Sequence, residues 1–149
     1  MNCNGLSEGL LVMWDDSINV HITSMNNNMI CAYLSDLDNN FWISYVYGQP
    51  QPQHRQKVWN ELVIFAQSIS PNDKLKVIGD FNQVVSSNDK SSSRKVHLRG
   101  VDQLIECLNQ CNLNEIPLQG QLMTWTNNRE GDEAIWKDSI EGFLITNGL

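Results

Sequence analysis

Hydrophobic and polar residues alternate along several short stretches of this chain, which is the pattern of β-strands that are buried on one face. Ile18, Val20 and Ile22 alternate with polar neighbours, and we predict a strand there. The apolar run from Leu10 to Trp14 precedes it across the polar residues 15–17, so the two are expected to form a hairpin. Further strands are predicted at Met29–Leu34, Phe41–Tyr47, Leu75–Ile78, Leu113–Ile116, Leu122–Thr126 and Ile140–Thr146. The first two of these, joined by residues 35–40, indicate a second hairpin.

Two longer stretches have apolar residues at the three- and four-residue spacing of an amphipathic helix. The first runs from about Gln53 to Ser68 and is followed by a proline-containing turn at residues 71–73, and the second runs from about Val101 to Cys111. The polar segment Ser86–Lys95 between them is predicted to be a loop. The order strands, helix, strand, helix, strands favours an α/β sandwich with mixed sheets over a regularly alternating βαβ fold.

Length and composition predict a single globular domain that spans residues 1–149. Hydrophobic residues make up 41% of the 149 positions and charged residues 18%, which excludes a disordered chain. No apolar run approaches the roughly 20 residues of a membrane-spanning helix, and no secretory signal pattern is present. We therefore expect a nuclear or cytoplasmic protein that is not secreted and has no membrane partner. The four cysteines form no Cys-x-x-Cys pair, which favours free structural thiols.

The charge distribution leaves two interpretations open. A formal net charge of −7 argues against a general nucleic-acid coat protein, because neutralising phosphates requires clustered basic residues. One basic stretch nevertheless contains Lys90, Arg94, Lys95, His97 and Arg99. It is either a solvated loop or a contact surface for nucleic acid.

Residues 79–82, Gly-Asp-Phe-Asn, directly follow the predicted strand Leu75–Ile78 and carry the clearest candidate chemistry. Open α/β sheets bind ligands at the carboxyl ends of their strands, which is where Asp80 would lie. In an extended stretch Asp80 and Asn82 would project from one face and Phe81 into the core. A carboxylate can hold a metal ion or a water, and an amide can bind a phosphate oxygen. The alternative is a simple turn after the strand, which Asp and Asn also favour.

These residues and four other stretches resemble one family, in the right order along nearly the whole chain. The stretches are 5–10 (Gly-Leu-Ser-Glu-Gly-Leu), 46–48 (Val-Tyr-Gly), 79–82, 124–127 (Thr-Trp-Thr-Asn) and 143–145 (Phe-Leu-Ile). They resemble the endonuclease/exonuclease/phosphatase superfamily and, more narrowly, the endonuclease domain of plant LINE-type (non-LTR) retrotransposons.

The resemblance implies a four-layer α/β sandwich, with mixed sheets flanked by helices, that cuts DNA with Mg²⁺ as cofactor. It assigns Asp80 to the attacking water, Asn82 to the phosphate and Tyr47 to a position close to the phosphate. Glu141 stands where the family has an Asp and becomes a candidate metal ligand. The segment with Lys90, Arg94 and Lys95 resembles the family segment that lies near the nucleic acid.

The departures from the family pattern predict a loss of activity. Family members begin with strands that carry an Asn and a metal-binding Glu, and end with a Ser-Asp-His element, whereas this chain matches none of these. We therefore expect a partial domain, truncated at both ends, that is the catalytically inactive remnant of a LINE endonuclease. Two alternatives remain open: a non-catalytic nucleic-acid-binding or interaction module on the same scaffold, and a chain that does not fold stably because its sheet edges are uncovered.

Overall fold

Two β-sheets and two helices make up the part of the chain that the computed structural model describes, namely residues 9–35, 40–83, 90–92, 100–116, 125–126, 128, 135–137 and 140–145. In chain order the elements are β1 (Asn19–Met25), β2 (Met29–Ser35), β3 (Asn40–Tyr47), α1 (Pro52–Ser68), β4 (Leu75–Asp80), β5 (Lys90–Ser92), α2 (Val101–Gln110), β6 (Leu113–Glu115), β7 (Trp125–Thr126), β8 (Ile135–Lys137) and β9 (Ile140–Ile145).

The larger sheet has six strands in the order β1-β2-β3-β4-β9-β6 and is mixed. Strands β1, β2 and β3 pair antiparallel, β3 pairs parallel with β4, and β9 pairs antiparallel with both β4 and β6. Helix α1 makes the crossover that a parallel pair requires. As a result, the carboxyl ends of β3 and β4 lie next to each other at one edge of the sheet, which we call the carboxyl edge. The predicted α/β fold with mixed sheets is confirmed.

The smaller sheet has three short strands in the order β5-β8-β7, all paired antiparallel. Two of them were not predicted from the sequence. Residues 90–92 form β5 inside a segment predicted to be a loop, and Ile135–Lys137 forms β8 where no strand was predicted. Both strands are only three residues long, which is too short to establish an alternating pattern.

The hydrophobic core lies between the larger sheet and the two helices. Its fully buried members come from several elements and include Cys31 in β2, Val46 in β3, Val77 in β4, Leu62 in α1 and Leu104 in α2. Because alternate strand residues face the helices while one stripe of each helix faces the sheet, the apolar periodicity in the sequence defines this layer.

Trp59 of α1 connects this core to the loop after β4. Its ring stacks on Phe81 with centroids 5.7 Å apart and planes 21° apart. Trp59 is 1% exposed and Phe81 is completely buried, as predicted for Phe81. The indole Nε1 of Trp59 is buried and has no hydrogen-bond partner among the described residues. The stack therefore gains its stability from buried apolar area and not from a directional polar contact.

The two helices match the sequence prediction closely. Helix α1 starts with Pro52 in its first turn, a position that has no need of a backbone N–H. Helix α2 starts after Gly100, whose φ of 84° lies in the left-handed region. Neither described helix is both long and apolar enough to cross a membrane.

The first predicted hairpin is wrong. Residues 10–14 form no strand, and β1 pairs with β2 instead. Leu11 and Met13 are 80% and 81% exposed, while Leu10 and Val12 are half-buried, so none of these four side chains is fully buried. An apolar run is compatible with a strand but does not specify a partner. The second predicted hairpin is confirmed as β2 and β3, while residues 36–39, 122–124 and Thr146 lie outside the described residues.

Candidate active site

The parallel pairing of β3 with β4 brings Tyr47 next to Asp80. The two are register partners at the carboxyl edge, and both are half-buried. Register partners on neighbouring strands share a face of the sheet, so both side chains leave it on the same side. The structure thus brings together two of the residues that the sequence analysis named separately.

Two glycines allow the backbones at this edge to approach more closely than any side chain would permit. Gly48 donates its N–H to the carbonyl of Asp80 at 2.7 Å. A Cβ atom on Gly48 would lie 2.0 Å from the carbonyl oxygen of Phe81, and one on Gly79 would lie 1.8 Å from the oxygen of Val46. Both contacts are with backbone atoms that cannot rotate away. Positions 48 and 79 therefore both require glycine for steric reasons.

Asn82 closes a tight turn and does not continue the strand. Its φ of 50° is left-handed, which Asn tolerates better than most residues. Its backbone N–H donates to Asp80 Oδ1 at 2.8 Å, and its Nδ2 donates to the carbonyl oxygen of Gly48 at 2.8 Å. The expectation that Asp80 and Asn82 share one face of an extended stretch is therefore wrong, because the strand ends at Asp80. The alternative, a turn after the strand, describes this backbone correctly.

Hydrogen bonds from the β1–β2 turn fix the backbone at Tyr47. Asn28 donates its Nδ2 to the Tyr47 carbonyl at 2.8 Å and accepts the Tyr47 N–H at its own carbonyl, also at 2.8 Å. Gln49 donates its Nε2 to Asn28 Oδ1 at 3.1 Å. Beside these residues lies an open groove of about 510 Å³ whose lining is mostly polar. Its walls are formed by Asn27, Asn28, Gln49, Pro50, Gln51, Gln53, His54, Lys57 and Val58.

Arg55 is a residue of this region that the sequence analysis missed. Its guanidinium donates to the carbonyl of Gln49 at 2.7 Å, the carbonyl of Pro50 at 3.0 Å and Gln83 Oε1 at 2.6 Å. Burial lowers the pKa of Arg55, and the negative charge of Asp80 acts in the opposite direction. A signal was present in the sequence, since position 55 continues the helical stripe that contains Val58, Trp59 and Leu62.

Comparison with known proteins rests on structure, since no family model and no curated protein matches the sequence. The endonuclease domain of TRAS1, a telomere-specific non-LTR retrotransposon, superposes with a TM-score of 0.67 at 18% identity and covers 87% of this chain. A β-hairpin deletion mutant of beta toxin from Staphylococcus aureus superposes with a TM-score of 0.57 at 14% identity and covers 81%. Zebrafish (D. rerio) TDP2, complexed with a single-strand DNA product, superposes with a TM-score of 0.52 at 12% identity and covers 85%.

All three solved structures have a fold of the same type. This chain has the endonuclease/exonuclease/phosphatase-type fold. It spans 57%, 45% and 51% of the length of the three chains, in the order given above. The predicted fold is thereby confirmed.

Of the remaining predicted residues, the structure describes Glu141 and Lys90, which lie on other strands. Glu141 is on β9, opposite Gly79, so its backbone is next to the strand that carries Asp80. Lys90 begins β5 in the smaller sheet. Arg94 and Lys95 lie outside the described residues. The roles assigned to these residues stay predictions.

The described residues offer few oxygen ligands for a magnesium ion. None of them belong to a group of three or more His, Cys, Asp or Glu residues that could hold a metal. Asp80 supplies a carboxylate at the carboxyl edge, and Mg²⁺ in proteins often uses one or two carboxylates together with substrate phosphate oxygens. The donor set therefore fits a cation only in company with a bound phosphate. A beta toxin structure of the same fold, at 14% identity, contains bound magnesium ions.

Proposed function

We propose that this chain is the remnant of a Mg²⁺-dependent DNA endonuclease domain of a plant LINE-type retroelement, which binds DNA phosphodiesters at the carboxyl edge and no longer cleaves them efficiently. The observation that carries the proposal is the pairing of Tyr47 with Asp80, with Asn82 held beside them by Gly48. The likeness in fold to a retrotransposon endonuclease domain supports it.

The chemistry of the three side chains suits a phosphodiester. The Asp80 carboxylate is an acceptor that can orient a water or bind a cation, while the Tyr47 hydroxyl and the second N–H of the Asn82 amide are donors for phosphate oxygens. A magnesium ion bound with the phosphate would supply the Lewis acidity that stabilises charge on the phosphoryl oxygens. The side chains themselves bind and orient the group.

Two features support the proposal that cleavage of the DNA phosphodiester is weakened. Asp80 Oδ1 already accepts the backbone N–H of Asn82, and one N–H of the Asn82 amide already donates to the Gly48 carbonyl, which leaves fewer groups for a substrate. At position 141 the chain has Glu where the family has Asp, and the additional methylene moves the carboxylate oxygens by about an ångström, a misplacement that can cost roughly 100-fold in rate. For comparison, removing one preorganised electrostatic group from an active site altogether typically costs about 2.7–4 kcal/mol of transition-state stabilisation.

Two assays on the purified protein test the proposal. In a plasmid-nicking assay with Mg²⁺ we expect no cutting above background. In a fluorescence-anisotropy titration with a short DNA duplex at low salt we expect binding that Tyr47→Phe and Asn82→Gly each weaken several-fold. Gly is chosen at position 82 because it accepts the left-handed backbone. Tyr45→Phe is the matched control, since Tyr45 lies on the same strand but two residues from the edge.

Each part of the proposal has its own contrary result. Nicking that disappears in Asp80→Ala would show an active enzyme. Binding that is insensitive to Tyr47 and Asn82 but lost in the double variant Arg94→Gln/Lys95→Gln would favour a binding module that uses the basic stretch. A genomic locus without reverse-transcriptase-like coding beside this reading frame would contradict the retroelement origin.

A further inference from the structure

The Arg55 guanidinium connects the two segments that form the carboxyl edge. Two of its acceptors, the carbonyl oxygens of Gln49 and Pro50, follow β3, and the third, Gln83 Oε1, follows β4. The three bonds measure 2.6–3.0 Å and use the Nε, Nη1 and Nη2 atoms of the planar fork. The side chain therefore spans the gap between the segment with Tyr47 and the segment with Asp80.

The surroundings of this contact give it little freedom. Gln83 is only 3% exposed, and Arg55 is half-buried at the start of α1. The same two segments are joined by the Gly48 N–H to the Asp80 carbonyl and by the Asn82 amide to the Gly48 carbonyl. Arg55 thus adds a side-chain link beside these two hydrogen bonds. A link of three bonds from one rigid group defines both distance and angle.

The electrostatic surroundings of Arg55 also support its role as a link between the two segments of the carboxyl edge. Its three hydrogen-bond acceptors are neutral oxygens, and the ion pair found among the described residues joins Lys57 and Glu61, with no part for Arg55. Partial burial of the guanidinium is unfavourable because the charge loses hydration, and the negative charge of Asp80 offsets part of that cost. Arg55 is therefore coupled electrostatically to Asp80 on β4 while its hydrogen bonds reach the segment after β3.

We propose that Arg55 is a positioning residue of the phosphodiester site, which holds the segments after β3 and β4 at the separation that a bound phosphate requires. The inference rests on the proposed function and deepens it, since it adds a residue that touches no substrate atom. Lysine cannot replace arginine in this role, because an ammonium group on a flexible stem does not bridge three acceptors in a fixed geometry.

The test compares duplex-DNA binding by the wild type, Arg55→Lys and the control Lys74→Gln, with thermal melting to confirm that each variant is folded. We expect Arg55→Lys to bind about tenfold more weakly, a difference of about 1.4 kcal/mol, because the two segments are no longer held at a fixed separation. Because the charge is retained, the slope of log Kd against log salt should stay that of the wild type. Lys74→Gln, which removes an exposed cation just before β4, at the end of the strand opposite to the carboxyl edge, should bind like the wild type.

A second variant keeps the inference testable if Arg55→Lys does not fold. Gln83→Met removes one acceptor of the guanidinium and keeps the shape of the side chain, and we expect it to weaken DNA binding about threefold. If Arg55→Lys folds and binds DNA with wild-type affinity, the positioning role is overturned and the proposed function stays intact. If Arg55→Lys does not fold, wild-type affinity in Gln83→Met has the same consequence. A wild-type protein that does not bind DNA would overturn the proposed function and this role with it.

Discussion

The four residues Gly79 to Asn82 belong to two regions that are stabilised in different ways. Phe81 lies in the core, where it stacks on Trp59 and is surrounded by apolar side chains. Asp80 and Asn82 lie at the carboxyl edge, where hydrogen bonds of 2.7–2.8 Å to Gly48 and within the turn determine the backbone. Burial of apolar area is not directional, whereas a backbone hydrogen bond at such a distance is.

This difference predicts different tolerance to mutation. A core held by apolar burial accepts a change that roughly conserves volume and loses stability in proportion to the volume removed. An edge held by close backbone approach accepts no added atom, even a single methyl group. Substitutions matched for size can therefore separate the two regions.

The largest effect is expected in the core. Trp59→Ala should lower the free energy of unfolding by about 3–5 kcal/mol, since it empties the space beside Phe81. Chemical denaturation followed by circular dichroism measures this loss. Trp59→Phe is the matched variant: it keeps an aromatic ring and removes an indole N–H that has no partner among the described residues, so we expect a loss below about 1.5 kcal/mol. Similar losses for both variants would contradict a core that depends on volume alone.

At the edge the smallest possible enlargement should be costly. Gly48→Ala should destabilise the fold by about 3 kcal/mol, the upper end for overpacking, because the new Cβ would lie 2.0 Å from the carbonyl oxygen of Phe81. The same denaturation measurement applies. Gly100→Ala is the control, since its Cβ would meet Gln83 Oε1 at 3.4 Å and the main cost would be the left-handed φ of 84°, about 1–2 kcal/mol. If Gly48→Ala and Gly100→Ala lowered the free energy of unfolding equally, the steric explanation for Gly48 would be contradicted.

The smallest effect is expected on the melting temperature at alkaline pH, and it distinguishes the two faces of the larger sheet. Burial raises the pKa of the Cys31 thiol in the core and of the Tyr45 hydroxyl on the face that carries Tyr47. A pKa that is raised on folding stabilises the protein below the ordinary values of 9.0 and 10.0, and this stabilisation is lost as the pH rises through the raised values. We therefore expect the melting temperature to fall with increasing pH above about 9.

Single variants assign that loss to one face or the other. Tyr45→Phe and Cys31→Ala each remove one titrating group, so each should flatten part of the decline in melting temperature between pH 9 and 11 relative to the wild type. A decline that neither variant changes would show that the two side chains do not titrate differently in the folded and unfolded protein.

The local pattern of apolar and polar residues was sufficient to predict most of the helices and strands, and also the positions of two residues of the 79–82 motif. Helices α1 and α2, the hairpin of β2 and β3, and strand β4 follow from apolar periodicity, because each residue's face is determined within its own element. The same reasoning placed Phe81 in the core and Asp80 at a strand end. It failed for residues 10–14, where an apolar run was not matched by a partner strand.

Only the tertiary structure decided the arrangement at the carboxyl edge. The register that makes Tyr47 a neighbour of Asp80 depends on how two distant strands pair, and alternation within either strand does not contain that information. The left-handed turn at Asn82 follows from the close approach of Gly48, and the role of Arg55 follows from the positions of three acceptors on two different segments. Periodicity determines which side of an element faces the core, whereas contacts between elements determine the site.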